Sequence, residues 1–98
     1  MTKDQYTKSL AIAKFFGVAV HEVPGANVLT RQVLGTTDWR LWSPYENDAD
    51  AFELIWIMNT KYVAELVLEN PSLKDLPRDE FRRRVVENLH YYVEYRHD

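Results

Sequence analysis

Apolar positions along this chain switch repeatedly between helical and strand spacing, and each switch marks a boundary. Tyr6, Leu10, Ala13 and Phe16 recur three and four residues apart, which predicts a helix with one buried face. Thr2 and Gln5 flank its start as a capping box, each side chain able to satisfy the other residue's free N–H. Gly17 ends it, since glycine tolerates the left-handed conformation a helix end requires, and Lys14 suits the negative end of the dipole. Phe15 points off the stripe and offers either a second contact surface or a fold-back at the helix end. From Val18 to Val23 the spacing becomes alternation, the period of a strand. Pro24-Gly25-Ala26-Asn27 is a turn by composition, Val28 to Leu34 a second strand, Gly35-Thr36-Thr37-Asp38 a second turn, and Trp39 to Trp42 a short third strand. The three form an antiparallel meander, which at this size needs a helix packed on one face.

The stretch from Asn47 to Glu69 holds the longest apolar run and predicts the organising helix. Asn47 or Asp48 caps it, and Asp48, Asp50 and Glu53 stand near its positive end. At roughly 100° per residue, Phe52, Ile55, Trp56, Tyr62, Val63 and Leu66 share one broad face. Leu54, Ile57, Ala64 and Leu68 lie opposite, so the helix is expected to be covered on two sides. The sequence therefore predicts a core in which Phe16, Phe52, Ile55 and Trp56 meet Phe81, Leu89 and Tyr92. Asn59 interrupts the main face and opens an alternative, a helix ending there followed by a strand from Tyr62 to Glu69. The continuous helix is favoured, because no Gly or Pro intervenes before Pro71. Residues 70–77 read as a linker or a single turn. Pro77 or Arg78 opens a last helix with Asp79 and Glu80 in its first turn and Phe81, Val85, Leu89, Tyr92 and Val93 as its buried stripe. Arg83 with Glu87, and His90 with Glu94, are i,i+4 pairs on its other side. The fold class that follows is α+β, three helices packed on a small antiparallel β-meander.

Composition narrows this further. The 98 residues suffice for a single domain, residues 1–98, with one modest core. Three Trp, six Tyr and four Phe mark a globular chain. With no Cys there is neither a disulfide framework nor a thiolate metal site. Lys14 interrupts the one N-terminal run that could imitate a signal peptide, and no segment reaches the roughly 18 apolar residues of a membrane span. The expectation is a soluble protein of the cytoplasm, with no membrane partner. Net charge is −3, and residues 47–77 carry six acidic side chains against two basic ones. That balance argues against general nucleic-acid binding, which shows a basic face.

Residues Trp42 to Leu54, WSPYENDADAFEL, resemble a pattern found in small phage and prophage proteins: a Ser-Pro step, a short acidic segment, then a helix opening with Ala and an aromatic. Phe16-Gly17-Val18 is similar to the end of the helix that precedes that pattern. The family resembled is the phage α-β-α sandwich domain, which carries no established activity to transfer. The resemblance implies strands after the organising helix, and so the strand reading of Tyr62 to Glu69.

Candidate chemistry is sparse. Asp48, Asp50 and Glu53 are hard oxygen ligands, but capping and the helix dipole account for all three, and no Ca²⁺ loop spacing is present. His90, Glu94 and His97 share a side of the last helix without a catalytic zinc spacing. Trp39, Arg40 and Trp42 mix aromatic and cationic groups as single-strand binders do, and Arg82, Arg83 and Arg84 add a basic cluster that radiates around a helix. Ser9, Ser43 and Ser72 lack a positioned His, and His21 sits on a strand without a partner. No cofactor and no catalysis are expected. The expected role is that of a small acidic protein-binding accessory protein of phage origin. Its sharpest form is an anti-CRISPR-like inhibitor, whose carboxylates occupy a basic nucleic-acid site of a host defence complex. The alternatives are a structural homo-oligomer and an enzyme with an unrecognised site. The contact surface is placed on Asp50, Glu53, Leu54, Ile57, Lys61, Glu65, Leu68 and Glu69, with a basic-surfaced protein or a second copy as partner. Glu65 and Glu69 stand out, because the dipole does not favour acid at that end of the helix.

Overall fold

Local sequence signals set most of the element ends. The computed structural model describes residues 1–57 and 75–95. Helix α1 spans Lys3–Phe16, with Thr2 and Gln5 forming both bonds of the capping box. Gly17 closes it at φ 74°, and its N–H donates to Ala13 O. Val18 N also donates to Ala13 O, at 2.9 Å. That bond draws Val18 into finishing the helix, so strand β1 is only His21–Val23, shorter than the alternation from Val18 suggests.

A 3₁₀ turn, Pro24–Ala26, and Asn27 at φ 51° reverse the chain into β2, Val28–Gln32. This strand also stops short of the expected end at Leu34. Val33 is taken up by the next turn, donating to Asp38 O at 2.8 Å and accepting from Thr36 N at 3.0 Å. Strand β3, Trp39–Trp42, follows as expected. The sheet is antiparallel in the order β1-β2-β3, with Leu29 opposite Trp42, Arg31 opposite Arg40, and His21 opposite Thr30.

Helix α2 spans Asp48–Ile57, capped by Asn47, whose Oδ1 accepts from Asp50 N at 3.2 Å. Helix α3, Arg78–Tyr95, opens after Pro77. Helix α1 packs against α3 and β2, and α2 packs against α3. Tyr6, Ile12, Ala13, Val18, Leu29, Trp42, Tyr45, Leu54, Val85, Val86 and Leu89 form one buried cluster. The class is α+β, as the apolar pattern predicts, with three helices and the meander among the described residues.

Helix α2 is rotated from its expected orientation. Asp50, Ala51 and Leu54 are fully buried, whereas Phe52 is 46% and Trp56 89% exposed. The expected core around Trp56 and Phe52 is therefore not formed. Small Ala51 lets the helix approach closely, and Asp50 has specific partners inside, so polar bonding outweighs the larger apolar area of the other face. In α1, likewise, Ser9 and Ile12 are buried while Leu10 and Phe16 are only partly so. Whether 62–69 is helix or strand lies outside the described residues.

Candidate functional site

The parity of the sheet organises its surface. Side chains alternate between faces along each strand, so Leu29 and Trp42 share the covered face with Glu22, Arg31 and Arg40. The other face presents His21, Val23, Val28, Thr30, Gln32, Trp39 and Leu41. A sheet covered on one side ordinarily turns its apolar residues inward and its polar residues to water. Here the charged residues lie on the covered side, and the open side carries no Asp, Glu, Lys or Arg.

The inward charges are matched one by one. Arg31 and Arg40 are direct cross-strand neighbours, a like-charge pairing that is destabilising unless compensated. Helix α2 supplies the compensation. Arg31 Nη1 hydrogen-bonds the carboxylate of Glu53, which also accepts from Trp42 Nε1 at 3.2 Å. Arg40 Nη1 lies 2.9 Å from Asp50 Oδ1, an ion pair whose approach is not aligned as a hydrogen bond. The other oxygen, Oδ2, accepts from Ser43 N at 2.9 Å. At the start of α2, Asp48 Oδ1 accepts from Arg82 Nη1 at 2.5 Å, and Arg78 Nε stands 3.7 Å from Oδ2. Arg82 Nε also donates to Tyr45 O at 3.0 Å, tying α3 to the segment before α2. Glu22 is 4.0 Å from Lys14 on α1.

These bonds reassign the residues expected at a partner surface. Asp50 and Leu54 are wholly buried, so neither is on a surface open to a partner. The carboxylate of Glu53 is about 30% exposed but held by Arg31. The side chain of Ile57, with Lys61, Glu65, Leu68 and Glu69, lies outside the described residues. The basic candidates are engaged as well. Arg83 pairs with Glu80 and, at 3.1 Å, with Glu87, and Arg84 pairs with Glu80 at 3.2 Å. Those guanidiniums hold the Glu80 carboxyl below its usual range. Trp39, Arg40 and Trp42 do not act as one stripe: Trp42 is buried, Arg40 turns to Asp50, and Trp39 is 57% exposed on the opposite face. His90 Nε2 meets Glu94 at 3.1 Å, while His97 lies outside the described residues. Among the described residues no three metal-ligating side chains converge, and no helix is long and apolar enough to cross a membrane.

The open face is the feature that sequence reasoning missed. Leu41 is 66% exposed and Trp39 is flanked by the His21 ring, 5.7 Å between centroids. The signal was present in the alternation of Trp39, Arg40, Leu41 and Trp42, but parity does not say which side is covered. A second exposed group lies between helices, where Phe52 meets Phe81 at 5.8 Å and Arg78 stands over the Phe52 ring at 5.9 Å. A widely open depression of about 360 Å³ lies beside the β2–β3 turn, lined by Ala19, Arg31, Gln32 and residues of that turn. Its one ionised side chain, Arg31, is already paired with Glu53. Comparison with protein-family models, with curated proteins and with solved structures found no match in any of the three.

Proposed function

We propose that this chain works by binding protein through the open face of its sheet, without chemistry of its own. The observation that carries the reading is the inverted polarity of the sheet, with Trp39 and Leu41 outward and arginines inward. Exposing Trp and Leu to water is unfavourable by roughly 25 cal/mol per Å² of apolar surface, and a partner that covers them recovers it. Trp39 also suits a contact, its ring being large, stiff and able to donate a hydrogen bond at one end.

The acidic contact expected from composition has less support. Asp48, Asp50 and Glu53 each have an arginine within the chain, so their charge is largely neutralised before any partner arrives. An inhibitor that occupies a basic site of a host defence complex remains a proposal resting on the phage-like resemblance and the net charge. Its remaining acidic candidates are Glu65 and Glu69.

Site-specific photo-crosslinking in cells tests the open-face reading. A photoreactive amino acid replacing Leu41 is expected to give a discrete protein adduct, and the same residue replacing Thr37, in the exposed turn, is expected to give none. If position 41 yields no adduct above position 37, the open face is not a contact surface and the proposal fails.

A further inference from the structure

Resting on that reading, we infer that the occupant of the open face is a second copy of this chain, its sheet stacked on the first across a two-fold axis. In an isologous contact the same patch meets itself, so any charge on it faces a like charge nearby. The face of His21, Val23, Val28, Thr30, Gln32, Trp39 and Leu41 carries no Asp, Glu, Lys or Arg. It can therefore be self-complementary without burying like charges. A partner chosen by electrostatic steering would instead need charge on this patch, and the sheet's own charged side chains, Glu22, Arg31 and Arg40, lie on the other face, paired with Lys14, Glu53 and Asp50.

The area argues in the same direction. Trp39 offers more than half of its roughly 250 Å², and Leu41 two-thirds of its own surface. With Val23, His21 and Gln32 added, two faces together hide about 1,000 Å², the lower edge of specific interfaces. Stacked sheets sit about 10 Å apart, close enough for Trp39 and Leu41 of each copy to reach the facing sheet. The dimer is accordingly of the weak class, with dissociation expected between about 1 μM and about 1 mM.

Sedimentation equilibrium of the full chain from about 1 μM to about 1 mM spans that range. The wild type is expected to shift from monomer to dimer mass. Leu41→Lys should raise the dissociation constant at least tenfold, since it brings two ammonium groups into one apolar contact. Leu34→Lys, at a residue 99% exposed in the β2–β3 turn beyond the paired strands, should leave dimerisation unchanged. Thermal unfolding at the dilute end checks that each variant is folded, and Trp39→Gln replaces Leu41→Lys if the latter is not. A wild type that stays monomeric to about 1 mM overturns the inference, as does a dimer that Leu41→Lys and Trp39→Gln leave intact. The crosslinked adduct separates the two proposals. An adduct of twice the chain mass supports both. An adduct with another protein, beside a monomeric wild type, keeps the open face as a binding surface and refutes self-association. No adduct and no dimer refute both.

Discussion

Replacing Asp50 with Ala should be among the most damaging single changes to this fold. Its carboxylate is fully buried, accepts the Ser43 N–H at 2.9 Å and lies 2.9 Å from Arg40. A hydrogen bond to a charged group contributes about 1.5–3 kcal/mol, and stranding a buried N–H costs about 1–3 kcal/mol, overlapping parts of one loss. The dipole term at the first turn of α2 adds roughly 0.3–1 kcal/mol. Arg40 adds little, because it is about 41% exposed and can turn to water. The total is about 3–4 kcal/mol, or roughly 15–25 °C in Tm for a domain of this size. Asp50→Asn keeps an acceptor for Ser43 and loses only charge, so about 1–2 kcal/mol is expected. Urea unfolding of the three proteins, followed by circular dichroism, gives the values. If Asp50→Ala falls within about 0.5 kcal/mol of wild type, as exposed surface changes do, Asp50 is not the internal anchor described.

Two further outcomes follow from burial. Trp42→Ala removes a wholly buried ring that also donates to Glu53 and should cost about 3–5 kcal/mol, whereas Trp56→Ala, at a residue 89% exposed, should cost under about 1 kcal/mol by the same unfolding assay. The Tyr45 hydroxyl is buried with no hydrogen-bond partner, and burial, with the Glu87 and Asp4 carboxylates, pushes its pKa well above the usual tyrosine range. Above about pH 10 the unfolded chain sheds this proton and the folded chain keeps it, so wild-type stability should fall there as pH rises. Tyr45→Phe should flatten that alkaline limb in pH-dependent melting, and an unchanged slope would count against the burial described.

Element identity was legible wherever a local rule decides it. The Thr2–Gln5 capping box, the left-handed Gly17, the turn at Gly35 and the acidic first turns of α2 and α3 are set within a few residues, and the structure follows them. Strand ends were less legible, because Val18 and Val33 have strand-like side chains but give their backbone bonds to a helix end and a turn. The orientation of α2 was not legible. Both of its faces are apolar, so periodicity cannot rank them. The deciding groups are Asp50 and Glu53, whose partners lie on strands and in the segment after β3. A carboxylate at the start of a helix has a sufficient local explanation, and that explanation concealed the long-range one.

The arginine pair explains why those acids sit where they do. The β2–β3 turn sets the register that puts Gln32 opposite Trp39, and this register places Arg31 directly opposite Arg40. Shifting β3 by one residue against β2 would turn Trp39 and Leu41 to the covered side and Arg40, with Trp42, to the open one. Trp42 opposes that shift, since it is fully buried and bonded to Glu53, and it would have to leave the core. Holding Trp42 inside thus commits Arg40 to the covered side, and Arg31 with it across the ladder. Asp50 and Glu53, three residues apart on α2, pair with these two partly exposed cations. The placement of Asp50 and Glu53 on the central helix in this way answers strand register, and the same register leaves Trp39 and Leu41 facing outward.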